Sequence, residues 1–123
     1  MAYEVRIMRV YDSVEEGDGV RILVDRLWPR GVSKERAALT QWDKEIAPSP
    51  QLRTWYGHKP ELFPQFFALY TEELDKSHHA LQFVENCKEW LKRENVTLVY
   101  AAKDKEHSHA VVLRKWLQEA LCI

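Results

Sequence analysis

Two short stretches of this 123-residue chain concentrate the side chains that handle charge and protons. The first is Asp25-Arg26-Leu27-Trp28-Pro29-Arg30-Gly31, which sets an acid, two guanidinium groups and an indole close together. The second is Lys103-Asp104-Lys105-Glu106-His107-Ser108-His109, with two imidazoles among alternating charges. Arg26, Arg30 and Lys103 are side chains that hold oxyanions through charge-assisted hydrogen bonds. His107 or His109 suits a proton-handling role, since imidazole changes charge near neutral pH. Asp25 or Asp104 would orient the imidazole or the cation. His58 adds a third imidazole in "WYGHKP", beside Trp55 and Tyr56, whose rings suit stacking on a planar ligand.

Each of these residues also has a plain structural role to fill. Asp25 and Arg26 suit a strand-end ion pair, and Trp28-Pro29 suits a rigid turn with its indole plugging the core. Asp104 suits a helix N-cap, and Trp55 suits the packing of a helix end. Gly31 suits a positive φ angle. His78 and His79 open a helical pattern and are expected at the surface.

Other chemistries lack their signatures. A zinc site needs three or four convergent ligands, and Cys87 and Cys122 stand in no metal-like spacing. Neither a metal nor a cofactor is expected. The four glycines are scattered, so there is no Walker loop or GxGxxG, and no Ser-His-Asp order is present. The formal net charge of −1 argues against nucleic acid as a partner. No apolar run approaches the ~20 residues of a membrane span. The N-terminus lacks the apolar core of a signal peptide, and two distant cysteines fit free thiols in a reducing compartment. The expected location is the cytoplasm.

Elements must position the two polar stretches, and the pattern around them supplies strands. Residues 20–26 begin with Val20, Ile22, Leu23 and Val24, a buried strand that runs straight into the first cluster. Residues 96–102, "VTLVYAA", form the clearest buried strand and run into the second. Residues 4–10 alternate as a half-buried strand does. The acidic loop between the first two strands is short for a crossover, so length alone predicts an antiparallel hairpin. Ser33 can cap a short helix from Lys34. "TQWDKEIAPSP" fits a helix through Leu39, Trp42 and Ile46, or a strand through Trp42, Lys44 and Ile46, ended by Pro48 and Pro50.

Apolar stripes mark the remaining helices. Leu62, Phe66, Phe67, Tyr70 and Leu74 form one, and Leu81, Val84, Trp90 and Leu91 another, capped by Ser77. Val112, Leu113, Trp116, Leu117 and Ala120 mark the last. With 46% hydrophobic and 30% charged residues and no linker or repeat, residues 1–123 read as a single α/β domain.

Five ordered motifs, "RVYD", "RILVDRLWPRGVSKE", "W-x-KEIAPS", "LRTWYGH" and "VTLVYAAKDKEHSHAVVL", span nearly the whole chain. Together they resemble the YeaO-like branch of domain-of-unknown-function family 488. The resemblance implies a small bacterial or archaeal cytosolic α/β domain, without implying an activity. The wider family often carries a longer helix between the first two strands. It also often has a cysteine at the end of the late strand and a Cys-His-Arg-like triplet opening the last helix. Here Ala101-Ala102 and Ser108-His109-Ala110 stand at those places, so only His109 carries over. The resemblance also favours a strand in "TQWDKEIA" and parallel pairing near the N-terminus.

The expected architecture is therefore a small, mainly parallel sheet with helices packed on it. The expected site lies at the carboxyl ends of the strands, where open α/β sheets bind ligands. It takes a small anionic ligand, phosphorylated or nucleotide-like. Arg26 and Arg30 hold the anion beside the N-terminus of the last helix, and Arg26 approaches Asp104. The alternative is an interaction module that binds a protein partner through exposed tryptophans, Trp28 and Trp55.

Overall fold

A computed structural model describes residues 3–123. Four strands, β1 (Val5–Arg9), β2 (Val20–Leu23), β3 (Gln41–Trp42) and β4 (Val96–Tyr100), form one sheet in the order β1-β4-β2-β3. Every pairing is parallel. The two strands buried at every residue take the centre, because only central strands are covered on both faces. Their register sets Val20 beside Val96 and Leu23 beside Val99.

Five helices complete the fold: α1 (Lys34–Ala37), α2 (Pro50–Tyr56), α3 (Phe63–Asp75), α4 (His78–Trp90) and α5 (His109–Leu121). The main core is formed by Ile22, Val24, Leu98 and Tyr100 against Phe66, Tyr70, Phe83, Leu113 and Leu117. A smaller second core gathers Val10, Leu23, Val32, Ala37 and Val99, with Trp28 and Trp42 packed against it. The cap expectations hold at Ser33, whose side chain accepts from the Arg36 amide, and at Ser77, which accepts from Ala80.

The hairpin expected on length is not formed. β4 lies between β1 and β2, and both run parallel to it. Residues 10–19 make the crossover with a single 3-10 turn, Glu16–Asp18, in place of a helix. Gly19 makes this short route feasible. Its φ is 64°, and a Cβ there would stand 2.1 Å from the Asn95 carbonyl oxygen. Only glycine can enter β2 so close to the start of β4.

"TQWDKEIA" resolves as a two-residue strand followed by a 3-10 turn, Lys44–Ile46, capped by Asp43. The strand that the resemblance implied is there, and it is short because Asp43 turns the chain away. Pro50 opens α2 as its first residue, with Ser49 as its N-cap. No helix among the described residues is long and apolar enough to cross a membrane.

Parallel pairing decides where function can sit. β2 and β4 are neighbours running the same way, so residues 24–27 and 101–103 leave the sheet at one edge, side by side.

Candidate functional site

The two exits are tied together before any ligand is considered. The Val24 amide continues the ladder by donating to the Val99 carbonyl at 3.0 Å. The Ala101 amide then donates to Oδ2 of Asp25, also at 3.0 Å. From the other side, Arg9 of β1 donates to the carbonyls of Ala102 and Ala101 at 2.8 and 3.2 Å. Trp42 of β3 donates to the Asp25 carbonyl at 2.7 Å. All four strands thus hold one short stretch of backbone.

Above it opens a cleft of about 720 Å³, walled by the exits of β2 and β4, the helix α2 and the loop leading into α5. Asp25, Arg26, His58, Lys103, Asp104, His107 and His109 all line it. The polar stretches beginning at residues 25 and 103 therefore meet, as the sequence predicts.

His109 is the first residue of α5. Its Nε2 lies 3.1 Å from the Val24 carbonyl oxygen and 3.1 Å from Oδ1 of Asp25. The ring N–H is aligned on the carbonyl, so Asp25 Oδ1 is close to the imidazole yet buried without a hydrogen bond. His107 forms a second acid–imidazole pair, its Nδ1 at 2.8 Å from Oδ2 of Asp104. Oδ1 of Asp104 accepts from the amides of Glu106 and His107, as an acid closing a turn does. The Glu106 amide, followed by the His107 side chain, holds the Asp104 carboxyl below its usual range. The His107 carbonyl accepts from the Tyr56 hydroxyl at 2.7 Å, which clamps this loop to α2. Burial, then the charges of Asp104 and Glu61, push the Tyr56 phenol up, so it stays a donor.

Arg26 departs from expectation. Its guanidinium does not reach Asp104, which His107 already holds. Nη2 points at the Ala47 and Pro48 carbonyls at 3.4 and 3.3 Å, long contacts for a charged donor, and Nε is buried with no partner. Ser108, the N-cap of α5, makes no capping bond, and its buried Oγ is also unpartnered.

Three of the candidate residues lie outside the cleft. Trp28 donates to the Val32 carbonyl at 2.7 Å and meets Trp42 edge to face at 5.4 Å, a plug in the second core. Arg30 is exposed, and its carbonyl accepts from Tyr11. Trp55 lies 44% exposed in a separate shallow groove with Leu69. The difference comes at Trp28-Pro29, where the indole turns into the second core and takes the rest of the first cluster with it.

Arg53 and Ser108 line the cleft without having stood out as site residues, and Tyr56, whose ring suits stacking, lines it as well. Ser108 had a usable signal, a small polar residue directly before an apolar-periodic helix. Arg53 and Tyr56 share a face of α2 by their spacing of three, which is visible only once that helix is delimited.

No cysteine lines the cleft. Cys87 is buried in α4, where burial pushes its thiol up to about 12, and Cys122 ends α5. Among the described residues, no three His, Cys, Asp or Glu side chains converge in an arrangement that could hold a metal ion.

Comparison with known proteins adds the family. Residues 4–122 match a family model described as "Inactive DUF488-N3 subclade". The chain is 41% identical over 114 residues to "Uncharacterized protein YeaO" of Escherichia coli K12, covering 93% of this chain and 96% of that one. It is also 41% identical over 113 residues to "Uncharacterized protein Rv3073c" of Mycobacterium tuberculosis H37Rv, covering 92% of each. No solved structure matches. With the model spanning nearly every residue and relatives matched end to end, the chain belongs to the DUF488 family, as a YeaO-like member of the subclade described as inactive.

Proposed function

We propose that this protein binds a small anionic molecule, phosphorylated or nucleotide-like, in the cleft at the carboxyl ends of β2 and β4. The observation that carries the reading is a set of donors lacking partners around one cavity. Arg26 Nε and Ser108 Oγ are buried and unbonded, and buried polar atoms are rarely left so. They line the cleft with the N-terminus of α5, whose dipole favours negative charge. Arg26, Arg53 and Lys103 line the cleft as permanent cations against two carboxylates, Asp25 and Asp104.

Binding fits better than turnover. The family description says "Inactive", and alanines stand where the wider family often carries a cysteine. His107 and His109 then act as hydrogen-bond donors to the ligand. The interaction-module alternative is the weaker reading, because Trp28 is in the core and Trp55 alone remains on the surface.

Thermal shift with inorganic phosphate, sulfate and nucleoside monophosphates tests the proposal. A ligand at 100 times its Kd adds about 2.7 kcal/mol of stability. Arg26→Leu should remove the shift while leaving the unliganded protein folded. If no anion shifts the wild type, or Arg26→Leu shifts as the wild type does, the reading is wrong.

A further inference from the structure

The proposed anion site contains an acid that ought to oppose it. Asp25 lines the cleft, and its Oδ1 accepts no hydrogen bond. A bare carboxylate there would repel an oxyanion in a partly buried setting, where charges are poorly screened.

The neighbouring imidazole answers this. A carbonyl only accepts, so His109 Nε2 must carry the hydrogen it gives to Val24. Nδ1 is then the atom that gains or loses the titrating proton. It makes no hydrogen bond to any described residue. Once Nδ1 is protonated, the ring bears a positive charge with Asp25 Oδ1 only 3.1 Å from Nε2.

Other groups around His109 do not compete for this role. From the β2 exit comes Arg26, whose nearest acceptors are carbonyls. From α3 comes Tyr70, its ring 6.4 Å away and its hydroxyl donating to the Ile46 carbonyl. The loop before α5 contributes Lys103, Asp104 and His107, of which Asp104 is bound to His107, while Arg53 faces from α2 and His58 from the turn after it, neither beside a carboxylate among the described residues. Asp25 is the carboxylate at hand.

We infer that His109 takes up a proton when the anion binds, with Asp25 holding the imidazolium, so that the cleft suits a doubly charged oxyanion such as a phosphate monoester. This rests on the anion-binding reading above. Three permanent cations against two carboxylates leave one positive charge, and the added proton makes two. A phosphate monoester carries about −1.5 to −2 near neutrality. Asp25 then aids the anion that its own charge would repel.

Calorimetry of the wild type with sulfate is the test, because sulfate keeps its double charge throughout the range where histidine titrates. Titrations in two buffers of different ionisation heat, from about pH 5.5 to 8.5, count the protons taken up. Uptake approaching one proton per sulfate is expected, with affinity falling by up to about tenfold per pH unit at the alkaline end. Nitrate, singly charged, should bind about tenfold more weakly. Asp25→Asn, which keeps the acceptor for Ala101, should weaken sulfate binding about tenfold and flatten its pH dependence. Tighter binding by Asp25→Asn, pH-independent sulfate binding, nitrate matching sulfate, or sulfate failing where inorganic phosphate binds would each overturn the inference. If neither sulfate nor phosphate binds the wild type, the anion-binding reading falls and this one with it. Should the variant fail to fold, the wild-type proton count decides.

Discussion

β2 carries an arginine near each end, and the two are treated in opposite ways. Arg21, inside the strand, is 3% exposed and almost fully satisfied. Nε and Nη2 donate to the Ala37 carbonyl at 3.2 and 3.0 Å, and Nη1 meets Asp18 Oδ2 at 2.7 Å. Asp18 also accepts from the Glu15 amide, and its carbonyl accepts from Thr97. The remaining oxygen, Oδ1, faces Arg6 at 3.8 Å, too long for a hydrogen bond. Arg26, just past the strand, has an unbonded Nε and two long contacts. A buried charge that has its partners is part of the framework. One left short of partners at a cleft wall is available to something else.

The largest effect should come from breaking the satisfied pair. Arg21→Met leaves Asp18 buried with only the more distant Arg6 for its charge, and should cost about 3 kcal/mol in denaturant unfolding. Arg26→Leu should cost far less stability and lose anion binding instead. Equal stability losses in the two variants would dissolve the contrast. Next is Trp28→Ala, expected to lose about 3 kcal/mol by emptying the second core, with anion binding unchanged in the folded protein. Binding lost without destabilisation would return Trp28 to the site.

The Asp104–His107 pair should show a smaller effect, best read against pH. The folded Asp104 carboxyl titrates below its usual value. Its contribution is therefore present above about pH 4 and disappears as the pH falls through the lower folded value. Asp104→Ala should thus be least distinguishable from wild type in acid and most so at neutrality. An Asp104→Ala stability difference that grows on acidification would contradict the assignment. Smallest of all is Trp55→Ala, expected within about 0.5 kcal/mol because the ring stands at the surface, with no change in anion binding.

How much of this was legible in the residues differs from place to place. Val20–Val24 and Val96–Tyr100 announce themselves as buried strands, and their polar continuations mark the site. Trp28 and Arg30 looked like members of that site because they follow Asp25 in the chain, although Trp28-Pro29 also read as a rigid turn plugging the core, and that is the role the indole takes. Their removal to the other side is a packing event, an indole finding Trp42 and the Val32 carbonyl, and the partners are set by the tertiary structure. Arg53 went unseen because its role depends on α2 standing across the cleft from β4's exit.

The sequence by itself determined the α/β class, the two buried strands that lead into the polar clusters, and the Ser33 and Ser77 caps. These follow from burial period and capping chemistry, which act over a few residues. Only the tertiary structure decided that β4 lies between β1 and β2. A parallel crossover over residues 10–19 is possible where Gly19 clears the Asn95 carbonyl, and that clearance exists only between strands distant in sequence. The same holds for which donors are left without partners. A hydrogen bond such as Arg21 to Ala37, or its absence at Arg26, depends on what the rest of the chain brings alongside.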